Sequence, residues 1–141
     1  MRSTNVVKFV DTNILLYAIS TEAAERTKQE RALDILDAED IALSVQVLQE
    51  FYVQATRTSK SDRITHEQAV NLIDSWMRFK VQDITATVMQ AALSTKGRWN
   101  ISYWDAAIVE AARATASPTL LSEDLQHDMD FAGVRVVNPF R

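Results

Sequence analysis

The chain has 141 residues, 47% of them hydrophobic, enough for one domain to bury its own core without a disulfide or a structural metal. It contains no cysteine, which excludes thiolate zinc sites and thiol nucleophiles and removes any disulfide argument for secretion. The formal net charge of -4 argues against attachment to nucleic acid by a bulk basic excess, though not against acids gathered around a metal. No apolar run approaches membrane-spanning length, so a cytoplasmic protein with no membrane partner is expected.

Val6 to Val10 reads as a buried strand bounded by Asp11-Thr12-Asn13, after which Ile14-Leu15-Leu16-Tyr17 begins a helical stretch. The charged segment from Glu22 to about Asp37 carries Ala32, Leu33, Ile35 and Leu36 on one side and predicts a surface helix, and the acids Asp37, Glu39 and Asp40 read as its solvated end. Ile41 to Ser44 is a short second strand, and Ser44 can cap a helix that turns Leu48, Phe51, Tyr52 and Ala55 inward. Thr58 to Asp62 is a loop. Thr65-His66-Glu67-Gln68 has the form of a capping box opening a helix to Trp76 or Met77, with a weaker strand near residues 81–84. A further helix from Thr87 is expected to stop near Gly97, a natural left-handed terminator. Residues 118–121 and 134–137 read as the last two strands. Strands alternating with helices along the whole length predict an α/β fold, a mainly parallel sheet covered by helices on both faces, in a single domain spanning 1–141.

Asp105 stands out in this pattern. Trp104, Ala107, Ile108, Ala111 and Ala112 recur at helical spacing, which predicts a buried stripe with Asp105 at its border. A local reading suffices for that carboxylate: Ser102 caps the helix and an acid three residues on favours the positive end of its dipole. Three more acids call for something further. Asp11 and Asp124 follow apolar strands, and Glu50 lies on the helix after the second strand between an apolar and an amide-bearing side. In open α/β sheets ligands bind beyond the carboxyl ends of the strands, at the point where strand order reverses. Four carboxylates from distant parts of the chain can converge there. Two of them about 5 Å apart at an effective dielectric near 20 would repel by roughly 3 kcal/mol, which calls for a positive partner. With no histidine pair and no cysteine, magnesium or manganese suits the oxygen set, and such a metal makes a nucleophile from water beside a phosphate.

The segments Phe9-Val10-Asp11-Thr12-Asn13-Ile14-Leu15, Gln46-Val47-Leu48-Gln49-Glu50-Phe51, Tyr103-Trp104-Asp105-Ala106 and Leu121-Ser122-Glu123-Asp124-Leu125-Gln126 resemble, in order, the four acidic motifs of PIN-domain proteins, in particular VapC-type toxins of toxin-antitoxin pairs. The likeness runs from Val6 to Pro139. It implies a PIN-like three-layer sandwich and a magnesium- or manganese-dependent endoribonuclease in which Asp11, Glu50, Asp105 and Asp124 hold one or two metal ions. It implies Asn13 and Ser122 as polar helpers that hold a carboxylate or a water in place, and as partners an RNA substrate, a cognate antitoxin and a second copy of the chain in a homodimer. Related sequences often have glycine after Gln-His in the last motif, where this chain has Asp128, read as a solvated loop residue rather than a further ligand.

Other residues carry weaker signals. His66 and His127 lack a partner at ligand spacing, Trp76 and Trp104 read as core, Trp99 is left open, and Arg57, Lys60 and Arg63 flank a loop from which they could meet RNA phosphates. Three other readings stay in view. A haloacid-dehalogenase-type phosphatase needs a second aspartate where Asn13 stands, and a receiver domain needs adjacent acids where Thr12 stands and a lysine where Asn138 stands. A catalytically silent RNA-binding PIN module would be expected to lack one of the four acids.

Overall fold

Three of the five strands are short apolar runs with hardly a polar interruption, the pattern of a sheet covered on both faces. In the computed structural model, which describes residues 6–38 and 40–141, β1 (Lys8–Val10), β2 (Ile41–Ser44), β3 (Lys80–Gln82), β4 (Thr119–Leu121) and β5 (Arg135–Val137) form one sheet in the order β3-β2-β1-β4-β5, every pairing parallel. Phe9, Val10, Ala42, Leu43, Leu120 and Val136 are wholly buried at its centre.

Parallel neighbours need crossovers, and helices supply them. Helices α1 (Thr12–Ala18) and α2 (Arg26–Leu36) connect β1 to β2, and α3 (Val45–Thr56) and α4 (His66–Trp76) connect β2 to β3; α1 packs on α2 and α3, and α3 on α4, as one layer. Helices α5 (Ala86–Trp99) and α6 (Tyr103–Ala114) return the chain from β3 to β4, pack on each other, and set α6 against β2 and β4. The result is the three-layer arrangement expected. Strand order runs outward from β1 in both directions, through β2 on one side and β4 on the other, so the reversal point lies between β1 and β4.

Several expectations are corrected in detail. The helix expected to stop at Gly97 continues to Trp99, and Asn100, at φ 55°, provides the left-handed terminator with its N–H on the Lys96 carbonyl. Asparagine tolerates that conformation, and Gly97 is an ordinary helical residue. The third strand is Lys80–Gln82, and Ile84 lies beyond it at 66% exposure. A 3-10 turn, Ala23–Glu25, precedes α2, so the long charged helix begins later than its composition suggests. Trp76 is core, meeting Phe51 edge to face, whereas Trp104 is 63% exposed. The buried stretch of α6 begins only at Ala106, and the helix's first turn stands at the rim of a cleft. Of the acids after α2, Asp37 is exposed and Asp40 half-buried, while Glu39 lies outside the described residues.

Candidate active site

Strand register places the first two polar groups. The Asp11 N–H donates to the Leu121 carbonyl and the Ser122 N–H to the Val137 carbonyl, so both residues stand one step past the carboxyl ends of adjacent strands, at the reversal point. Their side chains meet there: Ser122 Oγ donates to Asp11 Oδ2 at 2.8 Å, while Asp11 Oδ1 caps α1 by accepting from the Thr12 N–H at 2.7 Å. Ser122 Oγ also accepts from the Asp124 and Leu125 N–H groups, which folds the loop after β4 back over β1. From α1, Asn13 grips the same loop, its Nδ2 donating to Asp124 Oδ2 at 3.1 Å and its Oδ1 accepting from the Glu123 N–H.

The other two acids arrive on capped helices. Ser44 accepts from the Val47 N–H and starts α3; on its second turn, half-buried Glu50 accepts from Thr12 Oγ1 at 2.9 Å and from Gln46 Nε2 at 3.5 Å. Ser102 accepts from the Asp105 N–H at 3.0 Å and starts α6, leaving Asp105 half-buried in its first turn. Asp11, Glu50, Asp105 and Asp124 thus line one open cavity of about 510 Å³, together with Asn13, Thr12 and Trp104. Ser122, which is wholly buried, supports it from beneath.

The cavity is strongly acidic. Glu25 and Glu123 also line it, against Lys60 alone among the basic residues described, and Lys60 is already paired with Asp62 at 2.7 Å. Asp11 is buried with no cation beside it among the described residues, and burial pushes its carboxyl up to about 6. The Ser122 and Thr12 hydrogen bonds pull the other way, and repulsion from Asp124 and Glu50 adds to the rise. Among the described residues, no three acidic or histidine side chains are drawn together as a ready-made metal site. Each of Asp11, Glu50 and Asp124 is instead held by neutral donors of its own, as mutual repulsion favours when no counter-charge stands between them.

Three contributors were not singled out from sequence: Thr12 and Gln46, which position Glu50, and Glu123. Burial alone would raise the Glu123 carboxyl, but hydrogen bonds from Lys28 and Tyr17 hold it below the usual carboxylate range. The i,i+4 spacing of Gln46 and Glu50 was a visible signal, and Thr12 and Glu123 each sit beside a motif acid. Asp128 takes a left-handed φ of 67° on an exposed turn, close to His127 and outside the cavity lining. His127 accepts from the Asn138 N–H, and His66 shares a hydrogen bond with the Tyr52 hydroxyl, so both histidines have local structural roles. Arg57 and Arg63 do not line the cavity, and Lys60 does.

The family model described as PIN domain matches residues 8–131. No curated protein matches the sequence. Solved structures resemble the whole fold. A toxin-antitoxin complex from Klebsiella pneumoniae aligns at 21% identity and a TM-score of 0.67, covering 94% of this chain and 97% of that one. A sarcin-ricin loop cleaving VapC toxin of Mycobacterium tuberculosis aligns at 20% identity and 0.65, covering 83% and 91%. DNA-bound VapBC from Salmonella typhimurium aligns at 15% and 0.65, covering 94% and 97%.

Proposed function

This chain belongs to the PIN-domain family, and we propose that it is a metal-dependent endoribonuclease, the toxin of a VapBC-type toxin-antitoxin pair. The observation that carries the reading is the convergence of Asp11, Glu50, Asp105 and Asp124, from four separate parts of the chain, on one cleft at the reversal point of the sheet. A silent RNA-binding module has no use for that uncompensated charge. The phosphatase reading is weakened as well, because Asn13 serves as a clamp on the last acidic loop.

The donor set fits a hard divalent cation. Its atoms are oxygens, carboxylates outnumber the one lysine on the wall, and Asp11, the most buried acid of the cleft, has no positive partner among the described residues. Asp11, Glu50, Asp105 and Asp124 would hold magnesium or manganese, which when bound supplies counter-charge, Lewis acidity toward a phosphate oxygen and a nucleophilic water at neutral pH. The chain's own part is positioning. Ser122 and the Thr12 N–H fix the two Asp11 oxygens, Thr12 and Gln46 aim Glu50, and Asn13 holds Asp124 against α1. No histidine stands at the cavity wall to take a proton from a ribose hydroxyl.

The toxin part of the proposal takes its support from the neighbours, which include toxin-antitoxin complexes. An antitoxin would occupy or shield the acidic cleft, and two copies of the chain would form a homodimer. The site of action in this reading is the cytoplasm, and among the described residues no helix is long and apolar enough to cross a membrane.

Cleavage of RNA by the purified protein in magnesium or manganese, followed by mass spectrometry of the fragments, tests the chemistry. Attack by water leaves a 5′-phosphate and a 3′-hydroxyl, and cutting persists when the nucleotide at the scissile bond is 2′-deoxy. A 2′,3′-cyclic phosphate as the main product would overturn the mechanism.

A further inference from the structure

Trp104 stands on the wall between two cavities, an uncommon place for so large an apolar side chain left 63% exposed. On one side is the acidic cleft. On the other is a groove of about 460 Å³ with Ile84, Met89 and Ala107 as apolar lining and the amides of Gln46, Gln49 and Gln82 as polar lining. Among the described residues, Asp83 is its only charged lining. A phosphate has nothing to hold it there, whereas a neutral heteroaromatic ring finds an indole to stack on and amides to meet its hydrogen-bonding edge.

We propose that this groove is a nucleobase subsite, in which a base of single-stranded RNA stacks on Trp104 and so places its nucleotide beside the phosphate held at the acidic cleft. The proposal rests on the ribonuclease reading above and adds where a base is gripped. Trp104 and Asp105 are consecutive in the chain, so a base against the indole belongs to a nucleotide adjoining the reacting phosphate. The platform is well braced. Tyr103 packs edge-on to the Trp104 ring at 5.0 Å, and Ser102 fixes the helix turn that carries it. Gln46 Nε2 lies 3.5 Å from both the Trp104 carbonyl and Glu50 Oε2, so one side chain touches the base platform and the acid set together.

A second copy of the chain is the rival occupant of an exposed apolar face. Two features favour the base. Trp104 and Gln46 line both cavities, so the groove is continuous with the cleft, and amides stand among its apolar residues. Amides also occur between copies, so the continuity with the cleft carries the choice: a base beside a reacting phosphate needs it, and a face between copies does not.

The test uses the full chain carrying Asp11→Asn, to prevent cutting, and a short single-stranded RNA of mixed sequence. Trp76 is buried and Trp99 packs edge-on against Phe131, so Trp104 provides the solvent-exposed emission. RNA is expected to quench it. Adding Trp104→Ala is expected to weaken RNA binding roughly 5- to 150-fold, the loss of one stacked base, with Trp104→Phe keeping most of the affinity. An oligomer of the same length without bases is expected to bind alike with either residue at 104, and sedimentation to show one oligomeric state throughout. Unchanged RNA affinity in Trp104→Ala overturns the subsite alone, and so does a change of oligomeric state, which would make the face a contact between copies. Absence of RNA binding both by the Asp11→Asn chain with Trp104 intact and by the wild type brings down the ribonuclease reading, and the subsite with it.

Discussion

Two carboxylates are buried almost equally in this molecule, Asp11 at 8% exposure and Glu110 at 6%, and they are treated in opposite ways. Glu110, on α6, accepts from the Arg113 guanidinium at 3.0 Å and from the Thr95 hydroxyl at 2.7 Å, and Arg113 reaches on to the Phe131 and Ala132 carbonyls. Its charge is answered, and the answer ties α5, α6 and the segment before β5 together. Asp11 has a serine hydroxyl and a backbone N–H, and the charged groups that act on it are two more acids. Removing a partner from a buried ion pair is destabilising, while a buried acid kept without one is held at an energetic cost that folding alone does not explain. The first arrangement serves the fold. The second keeps a place for something positive.

The sharpest way to break that contrast is Asp11→Asn. Cleavage is expected to fall on the order of 10³-fold, as when a charge-stabilising group at a reacting centre is removed, yet the metal-free protein is expected to gain stability. The unfolded chain titrates Asp11 near 3.8 and the folded one near 6, so between these values the folded state keeps a proton that the unfolded state has given up. Stability therefore falls as pH rises from about 4 to about 6 and stays lower above that, by about 3 kcal/mol in all. Urea unfolding at both ends of this range, wild type against Asp11→Asn without divalent ions, isolates the contribution of Asp11 and its coupling to Asp124 and Glu50, because acids away from the cleft cancel in the difference. A gap between the two proteins that does not widen with pH would contradict the assignment. Added magnesium or manganese should raise the melting temperature of the wild type and do so much less for the variant.

Arg113→Ala examines the other pole. It strands Glu110 and frees two carbonyls, and a loss of about 2 kcal/mol is expected, below the full cost of a broken buried pair because the arginine is itself 39% exposed. Cleavage per folded molecule should stay near the wild-type rate, since neither residue reaches the cleft. A rate loss comparable to that of Asp11→Asn, measured at a temperature where both proteins are folded, would mean that the two sites are not separate.

The contrast was half legible in the sequence. Asp11, Asp105 and Asp124 announce themselves because strand ends and helix starts are set by local pattern, and the parallel sheet that brings them together follows from alternating strands and helices. Glu50 was drawn in by its place on the helix after the second strand, between an apolar and an amide-bearing side, and the second of the four motifs gave it the same role as the others. Glu110 was not legible. Its burial depends on α5 packing over α6, and its partner Thr95 is fifteen residues away on that other helix. Trp104 failed for a related reason: helical periodicity tells which face is apolar but not where along the helix the covering layer ends. Gly97 misled because a glycine near an expected helix end looks like a terminator, while Asn100 does that work three residues later.

The smallest expected effect separates the two carboxylates by their neutral donors. Ser122→Ala and Thr95→Ala each delete one hydroxyl that donates to a buried acid, so in a structure without distinct roles they would cost the same. For Glu110 the guanidinium remains, and loss of Thr95 is expected to cost about 1 kcal/mol. For Asp11 no second side-chain donor is at hand among the described residues, and Ser122 Oγ also accepts from the Asp124 and Leu125 N–H groups, so the same deletion loosens the loop after β4. A cost of about 2 kcal/mol at neutral pH follows. The Asp11 carboxyl should at the same time titrate higher still, because the lost hydrogen bond favoured its charged form. Carboxyl carbon NMR of both variants reads that shift directly. If the Asp11 titration is unmoved by Ser122→Ala, the serine is not what holds the acid ready, and the positioning role given to it here is wrong.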